Sequence, residues 1–164
     1  MKTLIANLEG ISSGSKALLE NSEWNSDSKN LFADLGNTEN KFRFAIEASL
    51  KNVLNNLLIE NVDDLEKAVS FLKKNDLGKA SFFLLRNNNI QDNFFTSLLG
   101  LGDKRKINKI AKEKSFVNWA YMVVQTDKKW QPYFENVLNR TVIISDLDSA
   151  IKLGRKYHDF NFVT

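Results

Sequence analysis

The chain has 164 residues, 43% of them hydrophobic and 11% aromatic, enough to bury one sizeable core or two small related ones. Its 23 Lys and Arg against 20 Asp and Glu leave a formal charge of +3, which permits contact with nucleic acid or an anionic surface without requiring it. The absence of cysteine excludes a disulfide framework, thiol catalysis and Cys-ligated zinc; with no signal peptide and no run of roughly 18 apolar residues, the expectation is a soluble, intracellular protein.

The first twenty residues begin polar and reach Lys16-Ala17-Leu18-Leu19, a short predicted helix behind a turn shaped by Gly10 and Gly14. The stretch Gly10-Ile11-Ser12-Ser13-Gly14-Ser15-Lys16 invites comparison with a phosphate-binding loop. That loop needs four residues between its glycines and then Gly-Lys-Ser/Thr, so that backbone N–H groups and the lysine converge on phosphate. Here three residues separate the glycines, Ser15 precedes Lys16, and Ala17 stands where the magnesium-binding hydroxyl belongs. A turn is the better account. Residues 21–30, rich in Ser and Asn, read as a loop, and Leu31-Phe32-Ala33-Asp34-Leu35 as a short apolar element stopped by Gly36.

Across 38–55, Phe42, Ile46, Leu50, Val53 and Leu54 recur at helical spacing and predict a helix. Residues 57–60 read as a strand. Asp63 or its neighbour suits the N-cap of the next helix, whose buried stripe is Leu65, Ala68, Val69 and Leu72. Gly78 lies just past that helix, and 79–85 reads as a strand. The stretch 87–115 weakens into loop signals, Asn87-Asn88-Asn89 and Gly100-Leu101-Gly102, and reads as a connection. It carries Lys104, Arg105, Lys106, Lys109, Lys112 and Lys114, a density of cations that could neutralise several phosphates with salt-steep affinity. Residues 116–125 are apolar, with helix and strand both open. Pro132 suits the first turn of a helix burying Tyr133, Phe134, Val137 and Leu138. A strand over 142–145, a helix over 146–157 and a strand over 160–164 close the order.

Candidates for chemistry are few. His158 beside Asp159 supplies two parts of a triad, but sequence neighbours rarely face each other productively. Asp63, Asp64, Asp146 and Asp148 precede apolar-periodic helices and read as caps and helix-dipole partners rather than paired acids. Trp119, Tyr121, Trp130 and Tyr133 could stack on exposed bases, but their apolar settings favour the core. The most informative signal is internal: Asp64-Leu65-Glu66-Lys67-Ala68-Val69 recurs as Asp146-Leu147-Asp148-Ser149-Ala150-Ile151. Each copy follows an apolar segment and leads to an aromatic run. Two copies imply two related lobes rather than a solenoid.

The stretch Phe44-Ala45-Ile46-Glu47-Ala48-Ser49-Leu50, then Leu57-Leu58-Ile59-Glu60, then Ala68-Val69-Ser70-Phe71-Leu72 through Leu77-Gly78-Lys79-Ala80-Ser81-Phe82, resembles the hinge domain of SMC (structural maintenance of chromosomes) proteins of the bacterial chromosome-partition or condensin type. The opening Leu8-Glu9-Gly10, Tyr133 to Leu138 and Thr141-Val142-Ile143-Ile144 fit the same pattern. It departs at Leu50-Lys51, where the family has Leu-Gly, and the family continues beyond Phe162-Val163-Thr164 into a Gly-rich return segment that contributes to pairing.

The resemblance implies an α/β (mixed α+β) domain of two lobes built on helix-strand-helix-strand units. Lobe I is expected over about 1–86, a connection over 87–115, and lobe II over 116–164, incomplete at its end. It implies a non-enzymatic dimerisation hinge that joins two coiled-coil arms, has no cofactor, and sits on the nucleoid in the cytoplasm. The expected partners are a second hinge, with a homodimer expected first and a different hinge left open, and DNA, with neither membrane nor small-molecule substrate. The lobe I edge would be Gly78, Lys79, Ala80, Ser81, Phe82, Phe83 and Leu84, and the phosphate contacts Lys104, Arg105, Lys106, Lys109 and Lys112. The alternatives are a free-standing nucleic-acid-binding α/β domain and a small α/β enzyme, for which the sequence offers no convergent polar set.

Overall fold

In the computed structural model, which describes residues 2–3, 11–21, 31–84 and 101–164, the repeated phrase folds twice as part of a strand-helix-strand unit. The chain runs β1 (Lys2–Thr3), α1 (Ser13–Glu20), β2 (Gly36–Thr38), α2 (Arg43–Leu50), β3 (Leu57–Ile59), α3 (Val62–Lys74) and β4 (Phe82–Leu84). It continues through α4 (Leu101–Ile110), β5 (Phe116–Trp119), β6 (Val124–Thr126), α5 (Gln131–Leu138), β7 (Thr141–Ile144), α6 (Leu147–Lys156) and β8 (Asn161–Val163). Short 3₁₀-helices occupy Phe32–Leu35, Asn40–Phe42 and Ala120–Val123. The fold is mixed α/β.

In the first copy β3 and β4 run parallel, with Leu57 opposite Phe82 and Ile59 opposite Leu84, and α3 makes the crossover. In the second, β7 and β8 run parallel with Thr141 opposite Asn161, and α6 crosses over. Strands of this kind are covered on both faces and therefore read as unbroken apolar runs. All of Leu57, Leu58 and Ile59 are buried, as are all of Thr141, Val142, Ile143 and Ile144. The second sheet adds β5, antiparallel to β7, with a register shift between Phe116 and Asn118, giving the order β5-β7-β8. A further small sheet has the order β1-β2-β6.

One of the two expected caps differs from the sequence reading, and Asp146 holds as expected. Asn61, not Asp63, caps α3: its side-chain oxygen accepts from the Asp64 N–H at 2.8 Å, and its amide donates to the Asp64 carboxylate at 2.9 Å. Asp63 and Asp64 lie in the first turn, where their charge suits the helix dipole. Asp146 caps α6 by accepting from the Ser149 N–H at 2.8 Å. Aligned on the buried Ala68 and Ala150, the two helices therefore start one turn apart. The helix expected over 38–55 is shorter. Thr38 ends β2 and its buried hydroxyl donates to the Val123 carbonyl at 2.8 Å. Beyond Leu50 the carbonyls of Leu54 and Asn56 accept instead from Ala33 and Phe32 N–H groups. The strand expected over 79–85 is confined to Phe82–Leu84.

The ambiguous 116–125 resolves into strand, 3₁₀-helix and strand, and Pro132 sits in the first turn of α5 as expected. The loop over 22–30, Gly10, Asn87-Asn88-Asn89 and Gly100 lie outside the described residues. By compactness the chain divides into one unit of Thr3–Gly36 and Lys51–Asn88 and another of Met1–Lys2, Asn37–Leu50 and Asn89–Thr164. Compactness thus interleaves the chain, and α2 and α4 group with the second copy. The first unit's core gathers Leu18, Leu57, Ile59, Ala68 and Leu72. The second gathers Ile110, Val142, Ile144, Leu153, Tyr157 and Phe160.

Candidate interaction surfaces

The segment leading into β4 is held by its own unit. Helix α3 ends with Asn75, then Asp76 in the left-handed region at φ 49°. The Asp76 N–H donates to the Lys73 carbonyl at 3.4 Å and the Leu77 N–H to the Leu72 carbonyl at 3.1 Å, a pairing that satisfies carbonyls the helix leaves open. Gly78 follows at φ 84°, and a Cβ there would lie 2.9 Å from the Ser13 hydroxyl. Ser13 donates to the Leu77 carbonyl at 3.2 Å. On the other side, a Cβ on Gly14 would fall 2.5 Å from the Lys79 carbonyl oxygen. Gly14 is therefore not a turn residue, as the sequence reading had it. It lies inside α1 and lets that helix approach the backbone at Lys79.

β4 itself is the outer strand of a two-stranded sheet among the described residues. β3 has a further neighbour, an antiparallel bridge between Leu57 and Leu31. The Leu57 N–H donates to the Ser81 carbonyl at 2.9 Å. In a parallel ladder a residue bonds to the neighbours of its partner, so Ser81 and Phe83 turn their main-chain groups toward β3. The main-chain groups of Phe82 and Leu84 consequently face the outer edge. Their side chains pack half-buried on the first core. The structure thus brings Gly78 to Leu84 together as one anchored stretch, of which two residues offer backbone outward.

The basic tract is mostly α4, anchored by Ile107 and the fully buried Ile110. Helical spacing turns Lys104, Arg105 and Lys109 to the opposite, exposed side, and Lys112 is exposed in the following turn. Lys106 is engaged elsewhere: its Nζ donates to Asp159 Oδ2 at 2.5 Å. That hydrogen bond raises the lysine above its ordinary pKa and lowers the Asp159 carboxyl below its own. Arg140 meets Asp103 at 3.2 Å and Lys156 lies 3.9 Å from Glu113, so α4 and the turn after it are tied to their unit by charge as well as by packing. Among the described residues, no carboxylate pairs with Lys104, Arg105, Lys109 or Lys112.

The remaining candidates have structural settings. Trp119 packs between Phe116 and Phe160, with ring centroids at 5.6 and 6.2 Å. Trp130 lies against Tyr133 at 6.0 Å and under Lys129 at 4.4 Å. Burial and Glu135 raise the pKa of the Tyr121 phenol. His158 is exposed, and the Asp159 beside it is paired with Lys106. Among the described residues no three His, Cys, Asp or Glu side chains gather as a metal site, and no helix is long and apolar enough to cross a membrane. Sequence reasoning missed Gly14 and Ser13, whose only signal was a glycine within a helical pattern.

Two similar β-α-β units define a pseudo-repeated α/β module. The model of the family described as the SMC proteins flexible hinge domain matches residues 26–154, and the chain belongs to that family. It is 28% identical over 134 residues to the chromosome partition protein Smc of Methanocaldococcus jannaschii, covering 82% of this chain and 10% of that protein. It is 26% identical over 168 residues to the protein of the same name from Bacillus subtilis, covering 100% of this chain and 13% of that one. The chain thus spans about a tenth of the length of the curated relatives it matches.

Among solved structures, an asymmetric dimer of the Geobacillus stearothermophilus SMC hinge domain aligns with a TM-score of 0.72 at 21% identity, over 91% of this chain and 57% of that one. The Pyrococcus furiosus SMC hinge domain aligns at 0.58 and 22% identity, over 87% and 67%. At such identities the likeness speaks for the fold. A hinge domain belongs to a family not known for catalysis.

Proposed function

We propose that this chain is the self-association hinge of an SMC chromosome-partition protein, joining two coiled-coil arms on the nucleoid, and that it also holds DNA. The observation that carries the reading is the outer edge of β4. Phe82 and Leu84 offer main-chain groups there, on a segment fixed from behind by Gly14 and Gly78. Among the described residues no strand pairs with that edge, and an unpaired edge is a template for another strand. The partner is a second hinge, as in the Geobacillus stearothermophilus dimer. DNA is held by Lys104, Arg105, Lys109 and Lys112, whose side chains are exposed. Lys106 contributes through position more than through contact, since Asp159 occupies it.

Sedimentation equilibrium on the chain and on Leu84→Pro tests the pairing arm, with circular dichroism as the folding control. Proline removes the outward N–H, so the variant is expected to lose self-association while remaining folded. Equal association in both would overturn the assignment of β4. For the DNA arm, the triple change of Lys104, Arg105 and Lys109 to Gln should lower the slope of log affinity against log salt by about 2–3 units. Tight, salt-steep DNA binding by a strict monomer would favour the free-standing nucleic-acid-binding domain instead. An unchanged slope would remove α4 from the DNA surface.

A further inference from the structure

Helix α6 carries two apolar side chains that its own unit leaves uncovered: Leu147 is 65% exposed and Ile151 47%. Their counterparts in the repeated phrase, Leu65 and Val69 of α3, are half-buried, and Leu65 packs on the first core. The second copy therefore presents a stripe that the first does not. Around Ile151, the side chains of Asp148, Lys152, Arg155 and Lys156 complete an open groove of about 380 Å³. Ala150 and Leu153 occupy the other side of the helix, in the core.

Asp148 and Arg155 make the ends of this face self-complementary, and the two Lys152 side chains, which would fall on one flank, are long enough to turn their charges to solvent. Asp148 and Arg155, like Ile151 and Lys152, are placed symmetrically about the point between residues 151 and 152. A copy of α6 laid antiparallel across that point brings each Asp148 opposite the other molecule's Arg155 and sets the two Ile151 side chains against one another. That is the condition for a two-fold contact, in which residue i meets j and j meets i. Arginine suits the task because its planar fork matches a carboxylate. Lys156 is less available, lying near Glu113 and against the Tyr157 ring. The apolar pair supplies attraction and the charges fix the register.

We propose that the outer face of α6 is a two-fold contact between copies of this chain, separate from the β4 edge. One helix pair buries less than the about 1,000 Å² of a stable interface, so the contact is weak and acts where molecules are already concentrated or tethered. Such a contact would link hinge to hinge beyond the pair.

The absence of cysteine makes the test direct: Lys152→Cys introduces a single thiol beside the symmetry point. A short bis-maleimide should link this variant to itself in solution, and adding Leu84→Pro should leave the yield unchanged. That insensitivity separates the proposal from the fate of the β4 reading. Adding Asp148→Lys should reduce the yield by at least about tenfold. Combining Asp148→Lys with Arg155→Glu should restore it to within about threefold, since the reversed charges again face each other. No self-linking, or a double reversal as weak as the single one, would overturn the proposal. Loss of DNA binding in Arg155→Glu without any self-linking would do the same and assign the face to nucleic acid.

Discussion

The two β-α-β units share a buried phrase and differ at their borders. In the first, the central β3 lies between its parallel partner β4 and a single antiparallel bridge at Leu31; in the second, β7 lies between β8 and a full antiparallel strand, β5, and β4 and β8 are both outermost among the described residues. Both central strands are fully covered, so burial alone does not tell the copies apart. The difference teaches that the two units share an interior and differ in what surrounds it. Beside its outer strand the first copy has two closely packed glycines, Gly14 and Gly78, and the second has an exposed helix face.

The largest effects test the shared interior. Ile59→Ala and Ile144→Ala each remove a fully buried side chain and should cost about 2–5 kcal/mol by denaturant unfolding. Hydrogen exchange should then rise in β3 and β4 for the first, and in β5, β7 and β8 for the second. Exchange rising equally in both units would mean that they open as one. Next comes the rim of the first copy. Gly14→Ala forces a methyl against the Lys79 carbonyl and should cost about 1–3 kcal/mol, with a further fall in self-association through a displaced β4.

What the residues disclosed follows from the range of the interactions involved. The repeat was legible because a buried alanine, a cap and an apolar strand are local signals, and β3, α3, β7, α6 and β8 follow from them. The overlong reading of 38–55 arose because Phe42 to Leu54 keep helical spacing, while the bonds that hold its two ends involve distant residues: the Thr38 hydroxyl donates to Val123, and Phe32 and Ala33 donate to Asn56 and Leu54. The engagement of Lys106 by Asp159 spans 53 residues and leaves no trace in a local charge count. Gly14 looked like a turn for the same reason, its neighbour Lys79 being remote in sequence.

Smaller effects sharpen the comparison at the caps. Asn61→Ala should cost about 1 kcal/mol, because the Asp64 N–H loses its acceptor. At the other cap, the hydrogen bond from the Ser149 N–H, then those from the Ser149 and Ser145 side chains, lower the Asp146 pKa. A carboxyl lowered on folding stabilises the fold above its unfolded value near about 3.9, and that contribution disappears as pH falls through the folded value. Asp146→Asn keeps the cap but removes this titration, so its unfolding curve should be less pH-dependent below about pH 4 than the parent's. Asp76→Gly should add about 0.5–1 kcal/mol, measured by thermal melting, because glycine adopts the left-handed conformation without a Cβ penalty.

The most direct measurement is amide hydrogen exchange at Phe82 and Leu84 as protein concentration is raised, in the Asp148→Lys background that silences the α6 contact. Pairing through the outer edge of β4 predicts that these two amides slow together with self-association while Leu57, already bonded to Ser81, does not change. Association accompanied by unaltered exchange at Phe82 and Leu84 would contradict it.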